Sequence, residues 1–240
     1  MLIDLHAHTK GMSSCCLAPA PDIVKTAKDN GIDGIVVTNH YLRQDNGDHR
    51  DYAQRYVDEY YYTKECGDAI GCVVIYGMEV TMERYSDAHV LVYGVDTDFT
   101  LQHPTIFSYT LEELYSAVKA AGGMVVQAHP FRNGHNKLPE TSLTEGLLDG
   151  LELSSHPLYD GTYVDKLTEM AHQYGLILTS GGDYHADVPY RAYCGVHLPD
   201  TVTDTKALCQ YLLSAETVDV QYQEPFAPES VRMTYERHPK

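Results

Sequence analysis

Residues 34–40 read Gly34-Ile35-Val36-Val37-Thr38-Asn39-His40. An unbroken apolar run of this length, rich in β-branched residues, describes a strand buried on both faces, as in a parallel α/β sheet. It ends in a polar pair, Asn39-His40. Just upstream, Asp22–Asn30 reads as a helix with Ile23, Val24 and Ala27 on one face and Gly31 as its stop. Downstream, the spacing predicts a helix from about Arg50 to Glu65. The same alternation continues outward in both directions. Strands are expected at Leu2–Leu5, Val73–Tyr76, His89–Tyr93, Met124–Ala128, Gly150–Leu153 and Leu176–Thr179, and helices at Leu111–Ala121 and Val164–Tyr174. Short strands alternating with helices imply parallel βα units, and about seven such strands fit in the chain.

The strand ends share a chemical feature. His6 and His8, His40, Glu79, His129, and Asp183 with His185 all lie at expected C-terminal ends of strands. In parallel α/β barrels those ends form one face, where active sites are built. Alternation along an extended segment points both imidazoles of His6-Ala7-His8 to one side. Asp183-Tyr184-His185 repeats the arrangement with one oxygen and one nitrogen donor. Such imidazole and carboxylate sets suit zinc, manganese or iron. One His-x-His alone is weak; ligand types at five separate strand ends are much harder to obtain by chance.

Composition bounds the rest. The 240 residues hold 34 Asp and Glu against 17 Lys and Arg, for a formal charge of −17. That surface repels duplex DNA and acidic membranes, so no long nucleic acid and no membrane partner is expected. No stretch approaches the about 20 apolar residues of a membrane span, and the N-terminus lacks the apolar core of an export signal. Cys15, Cys16, Cys66, Cys72, Cys194 and Cys209 form no CxxC pair, which suggests reduced thiols in a cytoplasmic protein. No linker or charge block divides residues 1–240, so one domain is expected, with 216–240 as a tail packed on its surface.

These motifs resemble those of the polymerase-and-histidinol-phosphatase (PHP) superfamily. Asp4-Leu5-His6-Ala7-His8-Thr9 is similar to its first motif, Thr38-Asn39-His40 to its second and Gly77-Met78-Glu79 to its glutamate motif. Ala128-His129-Pro130 resembles the third and Gly182-Asp183-Tyr184-His185 the fourth. The set keeps the family's order and spans residues 4–185. The resemblance implies a distorted seven-stranded (β/α)7 TIM-like barrel, two or three divalent metal ions and metal-dependent hydrolysis of phosphate esters. It also implies the metal ligands His6, His8, His40, Glu79, His129, Asp183 and His185, with His89 at the start of the strand after the glutamate. Many members add an Asp or His soon after the first motif. Here that stretch is Lys10-Gly11-Met12-Ser13-Ser14-Cys15-Cys16, and Cys15 is the expected replacement, with Ser14 and Cys16 as alternatives and an inert cysteine pair as the competing reading. Asn39 is a second departure, since the family usually carries Asp there; an amide keeps hydrogen bonding but cannot ionise.

Clustered divalent ions make water nucleophilic near neutral pH and stabilise the charge developing on phosphorus. His8, Asp183 and His185 are the candidate catalytic residues. Arg132 and Arg191 are candidate phosphate clamps, because a guanidinium binds phosphate oxygens bidentately. His156 is a candidate pocket residue. Tyr52, Tyr56 and Tyr60, at i, i+4 and i+8, either form an aromatic lid or, more simply, pack against the strands. The expected substrate is a small phosphate ester, nucleotide-like or sugar-phosphate-like. Histidinol phosphate is the alternative within the enzyme class, and His89 at the start rather than the end of its strand argues against it. A catalytically silent metal-binding domain is a second alternative, kept by Asn39 and the altered stretch around Cys15. An amidohydrolase is a third, opposed by the lack of a lysine at an expected strand end. Oligomeric state is left open by these residues.

Overall fold

In the computed structural model the described residues are 1–44, 47–132, 138–139, 141–154, 163–186, 194–223, 227 and 229–238. The chain begins with β1 (Leu2–Ala7), α1 (Ala20–Asp29), β2 (Gly34–Val37), β3 (His40–Tyr41) and the long helix α2 (His49–Ile70). It continues through β4 (Val73–Tyr76), β5 (Met78–Met82), β6 (Ala88–Tyr93), α3 (Thr97–Gln102), α4 (Leu111–Ala120) and β7 (Met124–Gln127). Then come α5 (Thr141–Thr144), β8 (Gly150–Ser154), α6 (Tyr163–Tyr174), β9 (Ile177–Gly181), β10 (Gly195–His197), α7 (Thr205–Ser214), β11 (Thr217–Tyr222) and β12 (Val231–Glu236).

Local sequence explains the helix limits. Asp48 caps α2 by accepting from the backbone N–H of Arg50, and Gly71, with φ of 69°, ends it in the left-handed region that glycine adopts freely. Thr110 and Glu113 form a reciprocal capping box at α4. Helix α2 runs beyond the expected Glu65, passes through the buried Gly67 and ends at Gly71.

The strands form two mixed sheets, in the orders β12-β11-β10-β1-β2-β4 and β3-β5-β6-β7-β8-β9. β1, β2 and β4 run parallel, as do β7, β8 and β9, while β6 runs antiparallel to both neighbours. This departs from the expected seven-stranded parallel barrel. A short turn, Glu83–Asp87, rather than a helix joins β5 to β6, and a short connection permits only antiparallel pairing. The sheets meet at a parallel bridge between Ala7 and Tyr184 and where Glu79 N–H donates to Asn39 O at 3.2 Å. A continuous hydrogen-bonded barrel is not formed among the described residues.

The stretch after Glu216, expected as a surface tail, instead supplies β11 and β12, which extend the first sheet antiparallel from β10. Val218, Val220 and Tyr222 alternate inward along β11, so this segment has the period-two pattern of a half-buried strand. β2, β7, β8 and β9 are buried along their full lengths, β8 and β9 with the polar Glu152, Ser154, Thr179 and Ser180 among their buried residues. One large apolar core joins the sheets to α2, α4, α6 and α7. A second lies between α1 and the outer face of β1, β2 and β4.

Candidate metal centre

The topology carries the polar strand ends to one face, where a carboxylate forms the centre. Glu79 on β5 is fully buried. Its Oε2 lies 2.7 Å from His40 Nδ1 and 3.4 Å from both His6 Nε2 and His8 Nε2. Its Oε1 lies 2.8 Å from His89 Nδ1 and 3.1 Å from His129 Nε2. The two oxygens of one glutamate thus face two different sets of imidazoles. Asp183 Oδ1 stands 3.1 Å from His8 Nε2 and 3.4 Å from His6 Nε2, and its Oδ2 pairs with Arg132 Nη1. Three overlapping groups place their ligand atoms within 4.8 Å of one another: His6, His8, Glu79 and Asp183; His40, Glu79 and His89; and His8, His40 and His185.

These side chains fit divalent cations. His6 Nε2 and Glu79 Oε2 are buried, and neither makes a contact of hydrogen-bond geometry. A buried nitrogen and a carboxylate oxygen left facing each other are costly unless a proton or a cation lies between them. The outer ring nitrogens show how the inner ones are freed. His6 Nδ1 is 2.7 Å from Glu152 Oε1, whose other oxygen accepts from the His129 backbone N–H at 2.9 Å. His185 Nδ1 is 2.9 Å from the carbonyl oxygen of Asp183, which can only accept. With the proton on Nδ1 in both rings, each Nε2 presents a lone pair, the usual arrangement behind a metal-ligating histidine.

The titration behaviour follows the same charges. Burial raises the pKa of Glu79, but the imidazoles of His40, His89 and His6 outweigh it and hold the carboxyl well below the usual range. Burial likewise works against Asp183, and His6, His8 and Arg132 hold it low. Burial lowers His6, yet Glu152, Glu79 and Asp183 together push it well above the ordinary value. His129, by contrast, is driven down to about 4 by burial. The surrounding carboxylates therefore call for positive charge inside the cluster.

Backbone strain marks the same positions. His129 and Asp183 have φ of 28° and 48°, in the left-handed region that non-glycine residues rarely enter. Gly181 permits a close approach beside them: a Cβ there would stand 2.4 Å from the Cβ of His6. Helix α2 braces the other side. Tyr52 donates its hydroxyl to His40 O at 2.9 Å, and Tyr56 donates to Asn39 O at 2.7 Å. The tyrosine series is therefore packed against the strand ends that carry the ligands, rather than poised as a lid.

The three candidates for the donor after the first motif differ in their surroundings. The Cys15 side chain hydrogen-bonds with His185 and His40; burial raises its pKa, but those two histidines bring it down to about 6. The Cys16 thiol is turned away and donates to His8 O at 3.4 Å. Ser14 is exposed. Arg132 lies beside Asp183 with its backbone N–H bonded to His129 O at 3.0 Å. Arg191 and His156 lie outside the described residues.

Sequence reading missed Glu152 and the role of Asp4. Glu152 is a fully buried acid in the otherwise apolar run Gly150-Leu151-Glu152-Leu153. An acid on a strand of that kind is itself a signal, since carboxylates are rarely buried without a partner. Asp4 Oδ1 accepts from the backbone N–H groups of His6 at 2.9 Å and Gly182 at 2.8 Å, tying the first motif to the fourth.

Fold and site together define an α/β protein with a buried cluster of metal-ligand side chains at the strand ends. The chain belongs to the PHP domain family, whose profile matches residues 4–215. No match was found among curated proteins. Among solved structures, a two-domain protein from Bacteroides vulgatus, described as containing a predicted PHP-like metal-dependent phosphoesterase, superposes with a TM-score of 0.66 at 16% identity. That match covers 93% of this chain, which spans 65% of the Bacteroides protein. PsfC from Pseudomonas syringae superposes with a TM-score of 0.64 at 18% identity, over 97% of this chain and 90% of PsfC. Endonuclease Q, solved with a 27-mer duplex bearing an abasic lesion at the active site, gives 0.52 at 16% identity, over 88% of this chain and 55% of its own. At these identities the likeness is one of fold.

Proposed function

We propose that this chain is a phosphoesterase acting on a small phosphate ester, with two or three divalent ions held by His6, His8, His40, Glu79, His89, His129, Asp183 and His185, and Cys15 as a further ligand beside His40 and His185. The observation that carries this reading is Glu79, buried with its two oxygens toward separate imidazole sets and with Asp183 across the cluster. Bound there, the ions would supply Lewis acidity toward phosphoryl oxygens and lower the pKa of a water. Arg132, whose Nη1 pairs with Asp183 Oδ2, is the candidate to bind a phosphate oxygen. A proton for the leaving oxygen would come from a water, or from His8 or His185 where either is not held by an ion; their ring nitrogens lie 3.1 Å and 3.5 Å from Asp183 Oδ1.

The charge of −17 favours small substrates over long nucleic acid, although the fold is shared with a DNA-acting enzyme. No helix among the described residues is long and apolar enough to cross a membrane, and all six cysteines are free. The test is a panel of phosphate mono- and diesters, nucleotides, histidinol phosphate and an abasic-site duplex, run on metal-analysed protein with His129→Ala as control. Turnover of a small ester that falls by orders of magnitude in the variant is expected. Full activity in His129→Ala would overturn the assignment of the site, and preferential cleavage of the duplex would overturn the substrate class.

A further inference from the structure

The loop between β1 and α1 is fastened on both sides of Cys15. Thr9 donates its backbone N–H to Asn39 Oδ1 at 2.7 Å and its hydroxyl to Glu59 Oε1 at 2.6 Å. Ser13 Oγ accepts from the backbone N–H of His40 at 3.0 Å. Beyond Cys15, the buried Cys16 thiol donates to His8 O at 3.4 Å, and Leu17 N–H donates to His185 O at 2.8 Å. These ties bring the Cys15 side chain between two strand ends, where it hydrogen-bonds with the imidazoles of both His40 and His185. A thiol held by two imidazoles from separate segments is a cluster of three donors, not an isolated cysteine.

The donors around that thiol differ from those deeper in the centre. Of the three ligand groups among the described residues, His8, His40 and His185 form the one without a carboxylate, and Cys15 adjoins this group. The other two are built on Glu79 alone or on Glu79 with Asp183. His40 stands at the boundary, its Nδ1 2.7 Å from Glu79 Oε2. Glu79 and Asp183 are no more than 2% exposed, whereas Cys15 is exposed. A thiolate is a soft ligand that favours zinc, and imidazole suits zinc equally, while manganese is a hard ion that favours carboxylate oxygen. We infer that the metal centre is chemically divided: Cys15, His40 and His185 form an outer site that selects zinc over manganese, and the inner sets on Glu79 and Asp183 take either ion. Supplied with one equivalent of zinc and an excess of manganese, the chain holds zinc at the outer site and manganese within. An oxygen donor at position 15 would erase the difference, because the sulfur is what sets the outer site apart.

The division rests on the proposed metal-binding role of the cluster, and its test reads metal binding without turnover. Cobalt(II) stands in for zinc, and a thiolate bound to it gives a near-ultraviolet charge-transfer band that imidazole and carboxylate ligands do not. The natural chain should develop that band on cobalt titration. Cys15→Ser, a change at an exposed position, should lose it, and Cys66→Ser, on α2, should keep it. One equivalent of zinc should bleach the band even in excess manganese, whereas manganese alone should leave it. Zinc affinity of this site, measured by chelator competition, should fall in Cys15→Ser by at least the about 10-fold that losing a partner behind a ligand costs, and manganese affinity should change less. No band in the natural chain, a band retained in Cys15→Ser, or a band bleached as readily by manganese as by zinc would each overturn the inference. The expected cobalt and zinc behaviour without turnover of any phosphate ester would instead count against the phosphoesterase reading and leave the divided centre standing.

Discussion

Glu152→Gln isolates the contribution of a side chain that binds no ion itself. In the structure Glu152 Oε1 faces His6 Nδ1 at 2.7 Å, and Oε2 accepts from the His129 backbone N–H at 2.9 Å. Both partners are donors, and both lie in the buried interior. A glutamine of equal size has one acceptor oxygen and one NH2, so one of the two donors must meet a donor. If the oxygen stays with His129, His6 is left with an NH2 against Nδ1 and is driven to carry its proton on Nε2, the atom that faces Glu79 and Asp183. A stranded buried donor costs about 1–3 kcal/mol, which is also the cost of restoring the Nδ1–H form on metal binding. That corresponds to about a 5- to 150-fold loss of metal affinity, in line with the 10- to 100-fold typical for a partner behind a ligating histidine. The assay is zinc and manganese titration against a chromophoric chelator, with a thermal melt of the metal-free protein alongside. The melt should move little, because burial and the nearby Asp183 disfavour the Glu152 carboxylate more than His6 and the His129 N–H favour it, so neutralising it removes that cost. Metal affinity equal to that of the natural chain would refute the reasoning.

Two further outcomes follow from the same charges. Glu79 and Asp183 have pKa values well below the ordinary carboxylate range in the metal-free fold. A depressed folded-state pKa contributes stability that is fully present above the unfolded value, about 4, and is lost as pH falls through the folded value. Urea midpoints of metal-free protein should therefore drop below about pH 4, and the drop should shrink in Glu79→Gln; midpoints independent of pH in that range would contradict the ion-pair account. The Cys15 thiol, with a pKa of about 6, should alkylate with a midpoint near pH 6, well below an ordinary cysteine, and zinc should protect it. Peptide mass spectrometry after iodoacetamide treatment reads both, and a midpoint near 8.5 would remove the hydrogen bonds from His40 and His185 as its cause.

The primary structure by itself determined the βα alternation, because buried parallel strands need unbroken apolar runs such as Gly34–Thr38 and helices announce their ends through residues such as Gly31. It also determined the inventory of donors. His6, His8, His40, Glu79, His129, Asp183 and His185 stand where strands end, and strand ends share a face. Pairing direction was decided elsewhere, since β6 is antiparallel through the short Glu83–Asp87 connection and β10 lies antiparallel beside β1, features that apolar patterning does not encode. The same holds for the C-terminal β11 and β12, whose polar outer face reads as a tail until the edge of a sheet is there to accept it. Only the tertiary structure brought Glu152 behind His6, across 146 residues, and Glu59 to Thr9, across 50. Ligands are legible because their chemistry is rare at strand ends. The groups that orient them are ordinary acids, hydroxyls and amides, and only proximity in space shows which ligand each one meets.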